Sequence, residues 1–209
     1  MESTRVLRQI HREKVAKEAA WLLYRQVADD YLSAKQAAAR NLKTQILPTN
    51  AQIAHALDAL STQIEGPARN QLLITLRRYT LELMQLLHAF HPRLIGSVWR
   101  GTARNGSDID LEVFCDTPQT VISRLRSKYP NLTQTRVEKT MTGKTERFLH
   151  IHFRISSTCN GDISVRRLDQ FFVKRICEVY NDIITGLTYT QLQHILNTDP
   201  LQRFLPKER

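Results

Sequence analysis

The sequence predicts an α+β protein, with an all-helical region over residues 1–92 and a small sheet flanked by helices over 93–209. Three observations lead there. Apolar residues recur every three or four positions as far as His91-Pro92. Beyond that point they alternate, the period of a half-buried strand. Glycine and proline number only seven each, and several fall where the pattern changes, so they read as punctuation. At 209 residues, 42% apolar and 24% charged, the chain has ordinary globular composition and length for one generous domain or two small ones.

The first helix is expected within 12–43, where Trp21, Tyr24, Ala28, Tyr31, Ala38 and Leu42 form a stripe and Pro48 stops it. Thr49 or Asn50 caps a second, AQIAHALDALSTQIEG, ended by Gly66-Pro67. A third, near 68–90, carries Leu72, Leu73, Leu76, Tyr79, Leu83, Leu86 and Leu87 on one face. RLIGS then reads as a short strand, and VWRG as a helical turn. DIDLEVF is a strand with Ile109, Leu111 and Val113 on one side and Asp108, Asp110 and Glu112 on the other. TPQTVISRLRSKYP is a helix opened by Thr117 with Pro118 at its first position. TRVEKTMT, a Gly143 turn and ERFLHIHFRI form a hairpin, and GDISV one more strand. RRLDQFFVKRICEVYNDIITG and LTYTQLQHIL close the chain as helices.

The formal net charge of +10 and pI near 9.9 favour a polyanionic partner. The charge is shared: 12 basic against 8 acidic residues before Pro92, 18 against 12 after it, so neither half is a basic tail. Cys115, Cys159 and Cys177 are odd in number and far apart, which argues against a disulfide framework and suits a reducing compartment. MESTRVLRQIHREK has no apolar run of the signal-peptide type, and no stretch approaches the roughly 20 apolar residues that cross a bilayer. A cytoplasmic protein without membrane partners is therefore expected; its oligomeric state is left open.

Asp108 and Asp110 carry the chemistry. Side chains at i and i+2 of a strand point the same way, so the two carboxylates repel unless a positive charge lies between them. A charged face on an antiparallel edge strand explains D-x-D-x-E without any ligand. A divalent cation explains it too, and hard oxygen ligands on a rigid strand suit Mg²⁺ or Mn²⁺. The Gly96-Ser97 pair favours the cation, because a strand-to-turn junction with a hydroxyl beside it can cradle phosphate. It is not a Walker loop, since no G-x-x-x-x-G-K is present.

Gly96-Ser97, then VWRGTARNGS, then Asp108-Ile109-Asp110-Leu111 resembles the DNA polymerase β-like nucleotidyltransferase superfamily, in particular the minimal nucleotidyltransferases and the catalytic heads of archaeal-type CCA-adding enzymes. The resemblance covers about residues 93–165 and leaves the helical N-terminal region unplaced. It implies a small mixed twisted sheet and a nucleotidyltransferase catalytic domain over 93–209. It implies a third carboxylate from a later strand, for which Asp162 of GDISV is preferred and Glu112 is the alternative. The metal ligands would then be Asp108, Asp110 and Asp162, holding two ions roughly 3.5–4 Å apart. Gly96 and Ser97 would grip the β- and γ-phosphates, with Arg100, Arg104 and Ser107 as further nucleotide-binding candidates. Ser107 reads slightly more as a turn residue than as a phosphate ligand, and Trp99 as a buried anchor more than a base-stacking one. His150 and His152 share a strand face, but with no third His or Cys nearby in sequence a zinc site is not expected there.

What the resemblance implies is metal-dependent transfer of a nucleoside monophosphate from an NTP such as ATP to an acceptor hydroxyl, with release of pyrophosphate. An RNA 3′ end of tRNA type is the preferred acceptor, supported by the net charge and by Arg166, Arg167, Lys174 and Arg175. Nucleotidylation of a small molecule or a protein hydroxyl is the alternative. A catalytically silent RNA-binding module is the alternative of another class.

Overall fold

The structure, a computed structural model, describes residues 2–141 and 144–206; the Gly143 turn lies outside the described residues. The fold is α+β: a five-stranded mixed sheet with helices around it, preceded by an all-helical N-terminal region. The chain forms two compact units. One comprises residues 1–67 and 176–182, the other residues 68–175 and 183–209. None of the helices in the described residues is long and apolar enough to cross a membrane.

The first unit contains α1 (Glu2–Tyr24), α2 (Tyr31–Asn41) and α3 (Asn50–Glu65). The continuous helix expected over 12–43 is two helices. Gln26 takes a left-handed φ of 56°, and the Asp30 carboxylate accepts from the Leu32 and Ser33 backbone N–H groups, so the chain restarts there with a new cap. Thr49 caps α3 reciprocally with Gln52, and Gly66 ends it at φ 55°. Val15, Ala16, Ala19, Leu23, Ala34, Ala38, Ala39 and Ile53 make this unit's core; the alanines let the three helix backbones approach closely.

The second unit opens with α4, which runs from Pro67 to Leu86. The strands are β1 (Arg93–Leu94), β2 (Ile109–Phe114), β3 (Leu132–Met141), β4 (Lys144–Ser156) and β5 (Cys159–Arg166). Between them lie α5 (Gly96–Arg100) and α6 (Pro118–Arg126), and α7 (Tyr189–Thr198) follows. The sheet order is β1-β2-β5-β4-β3, with β2 and β5 parallel and the other pairs antiparallel. β2 is thus an interior strand, which removes the charged-edge explanation of its acids. Ile109, Leu111, Val113, Ile151, Ile163 and Val165 face one core with Leu73, Leu76 and Leu83 of α4 and with Leu87 just after it, and each such side chain contributes about 2 kcal/mol by leaving water.

The expected helix over 166–186 does not form. Only Leu168–Gln170 makes a 3₁₀ turn. Residues 176–182 pack within the first unit instead: the Asn50 side chain donates to the Glu178 carbonyl, and His55 meets the Tyr180 ring edge-on. Asn181, at φ 56°, closes a loop that a continuing helix could not make. Tertiary packing overrides a favourable local pattern here.

Candidate active site

Three strands bring the polar residues together. Asp110 of β2 lies directly across from Asp162 of β5, and Asp162 directly across from His152 of β4. One step along the same face, Glu112, Ser164 and His150 stand in line. Asp108 immediately precedes β2, and its carboxylate accepts from the Asn160 side-chain amide at 3.1 Å. The Asp162 carboxylate contacts His150 Nδ1 at 2.8 Å and His152 Nδ1 at 3.4 Å. Among the described residues Asn160, His150 and His152 are thus side-chain partners of Asp108 and Asp162.

The electrostatic consequence falls on Asp110. Burial first, then the charges of Asp162 and Asp108, push its carboxyl up from 3.8 to about 7, with His150 pulling the other way. Asp108 and Asp162 thus act on Asp110 through their charge, and the partly offsetting group is the His150 imidazole.

Gly96 is required by the same group. Its φ is +70°, and a Cβ there would overlap the Asp110 carboxylate. The glycine thus makes room for the acid, and it brings the start of α5 against β2. The Ile95 N–H donates to the Asp110 carbonyl at 3.0 Å, which ties the two segments together. Ser97 follows, half-buried, on α5. Ser107 shapes the loop between them: its hydroxyl accepts from the Arg104 N–H, and its own N–H donates to the Arg104 carbonyl. Arg104 is half-buried, with Nη1 donating to the Asn105 carbonyl.

Other expectations are corrected by burial. Arg100 is only 4% exposed; its guanidinium lies over the Trp99 ring at 4.1 Å and donates to the Phe204 carbonyl, so it is not presented to a triphosphate. Trp99 is itself buried, as an anchor of the core. Arg166, expected to face RNA, is buried against Glu112 at 2.8 Å and over the Phe148 ring at 4.4 Å. Arg175 also pairs with Glu112. Glu112 is 1% exposed; one of its oxygens holds both arginines, and the other has no hydrogen-bond partner. Arg167 and Lys174 stay at the surface, the former paired with Asp169.

Sequence reasoning missed what fixes α5 in place. Arg69 and Arg77 lie on the buried face of α4, in step with Leu73, Leu76, Thr80 and Leu83. Arg69 donates to the Thr102 and Ala103 carbonyls, and Arg77 to those of Val98, Trp99, Pro200 and Gln202. Burial lowers the Arg77 guanidinium to about 10, with Asp199 opposing. Together they satisfy the last carbonyls of α5 and the loop leading to Asp108. The signal was present as arginines recurring on an otherwise apolar stripe. A cavity of about 550 Å³, lined by Cys115, Arg136, Phe148 and Arg166 among others, holds none of the three aspartates.

Residues 78–159 match a family described as a domain of unknown function, DUF4269. The match takes in Gly96, Asp108 and Asp110 and stops short of Asp162. No curated protein matches the sequence. Two solved structures are similar. Terminal uridylyl transferase 4 from Trypanosoma brucei with bound dUTP has a TM-score of 0.30 and 15% identity, over 58% of this chain and 42% of that one. The same enzyme with bound UPU has a TM-score of 0.28 and 15% identity, over 57% and 41%. The chain spans less than half the length of either.

Proposed function

We propose that this protein is a metal-dependent nucleotidyltransferase, transferring a nucleoside monophosphate from an NTP to an acceptor hydroxyl with release of pyrophosphate. The observation that carries the reading is the pairing of Asp110 with Asp162 across parallel strands, with Asp108 two residues away and Gly96 folded against the Asp110 carboxylate. Asp108, Asp110 and Asp162 would hold divalent cations, Mg²⁺ or Mn²⁺, which when bound lower the pKa of the attacking hydroxyl and offset charge on the triphosphate. Residues 93–209 would form the catalytic part.

Each residue then has a definable task. Asp162, which His150 Nδ1 contacts at 2.8 Å, would receive the proton of the attacking hydroxyl. Asp110 and Asp108 would complete the cation-binding set. Ser97 offers a hydroxyl, and Arg104 a guanidinium, to the β- and γ-phosphates. Attack on the α-phosphorus forms the new P–O bond as the bond to the bridging oxygen breaks, and pyrophosphate leaves.

The acceptor most in keeping with a net charge of +10 is an RNA 3′ end, with Arg167 and Lys174 as surface cations in the second unit. The test is incorporation of each labelled NTP, ATP and CTP among them, into total RNA. Mg²⁺-dependent label that disappears in Asp110→Ala is the expected result. Label confined to protein would reject the RNA acceptor, and tight RNA binding without nucleotide binding would mark a silent module.

A further inference from the structure

The histidine pair beside the aspartates has no role in the reading above beyond steadying Asp162. His150 and His152 are two residues apart on β4, and their rings lie 5.7 Å apart at 10°, nearly parallel. Both direct Nδ1 at one carboxylate, each to a different oxygen of Asp162. One ligand atom from each of the three residues lies within 4.8 Å of the others. From sequence, this strand lacked a third ligand; β5 supplies it by strand pairing.

We infer that His150, His152 and Asp162 form a binding site for a borderline transition-metal ion such as Zn²⁺ or Co²⁺. Two imidazole nitrogens and one carboxylate with open positions is a donor set that selects such ions over Mg²⁺, which prefers oxygen alone. Three protein ligands also leave room for water or a substrate oxygen, unlike the closed four-ligand sets of structural zinc sites. The second shell fits. His150 Nε2 is 3.5 Å from the hydroxyl of Ser164, which is nearly buried on β5. A proton on Nε2 shared with that hydroxyl leaves the Nδ1 lone pair for the ion, and an outer partner of this kind fixes the tautomer of a ligating histidine. Ligation through Nδ1 requires the imidazole in its neutral form, with the ring proton on Nε2. His152 is about half exposed, with Nδ1 3.4 Å from the Asp162 carboxylate.

The inference does not depend on nucleotidyl transfer, although the two readings share Asp162. It is tested on the full, tag-free chain by titration with Co²⁺, read by visible absorption and by calorimetry. One ion is expected per chain, with nitrogen-ligand bands. His150→Ala and His152→Ala should each weaken binding by at least about tenfold, and Ser164→Ala by roughly tenfold. The double histidine variant should lose the bands while its circular dichroism stays native. Asp110→Asn should keep them. Absence of Co²⁺ binding by the native chain would overturn the site. So would binding that survives the double histidine variant but is lost in Asp110→Asn, since the ion would then rest on the aspartates. Loss of the histidine site with Mg²⁺-dependent labelling intact would leave the nucleotidyltransferase reading standing. Co²⁺ bands in a chain that transfers no nucleotide would do the reverse.

Discussion

In the unit built from α1, α2, α3 and residues 176–182, the buried side chains are small or apolar, from Ala16 and Ala19 to Ala38 and Ile53, with Ser61 the buried polar residue among those described. In the unit that carries the sheet, Arg69, Arg77, Arg100, Glu112, Ser164 and Arg166 go inside as well. Burying a charge costs several kcal/mol unless hydrogen bonds replace its water. The sheet unit meets that demand with backbone carbonyls for its α4 arginines and with Glu112 for Arg166. The difference teaches where the chain holds geometry by polar contacts in place of simple packing: around the turn of α5 and the strand that present Gly96, Asp108 and Asp110.

The largest effect should come from breaking the polar side of this contrast. Arg77→Ala leaves the Val98, Trp99, Pro200 and Gln202 carbonyls without that donor, and should destabilise the sheet unit by roughly 3 kcal/mol or more. Each unit holds one tryptophan, Trp21 in the first and Trp99 in the second. Urea unfolding in a Trp21→Phe background therefore reads the sheet unit through Trp99. An unchanged midpoint would mean the arginine is not what holds α5.

Next comes the apolar side. Ala19 is fully buried in α1, and Ala19→Leu inserts volume where helices meet closely, at an expected cost of about 2 kcal/mol. Followed through Trp21 in a Trp99→Phe background, the unfolding midpoint should fall. A core loose enough to accept leucine without loss would show that small residues are not needed there.

The smallest effect sharpens the comparison by titration. In the metal-free protein the Asp110 carboxyl is raised from 3.8 to about 7, so the folded state holds its proton more tightly than the unfolded chain. The stability this gives is present in full below pH 4 and is lost as pH rises through about 7. With chelator present, native protein should lose on the order of 1–2 kcal/mol relative to Asp110→Asn between pH 4 and pH 8, a value that allows for solvent screening. Parallel pH profiles for the two proteins would show that the carboxylates do not strain the fold.

Much of the fold was legible in local pattern. Thr49 and Gly66 bracket α3 as their chemistry requires, and the alternation of DIDLEVF and GDISV appears as β2 and β5. Where reading failed, the cause was either an overlooked cap or a long-range contact. Asp30 restarts the helix that composition alone ran together. The 176–182 segment forgoes a helix because it packs within the N-terminal unit. Arg100 and Arg166 looked like surface cations because a charge carries no mark of burial in sequence.

By itself the sequence determined which residues stand side by side within one element: Asp108 beside Asp110, His150 beside His152, Arg69 in step with Arg77. Those relations follow from periods of two and 3.6 that any strand or helix imposes. Only the tertiary structure decided that Asp162 meets Asp110 on one side and the histidines on the other, and that Glu112 is held by Arg166 and Arg175. Such meetings depend on hydrogen-bond register between strands distant in the chain, and a shift of one residue would have turned each of those side chains to the opposite face.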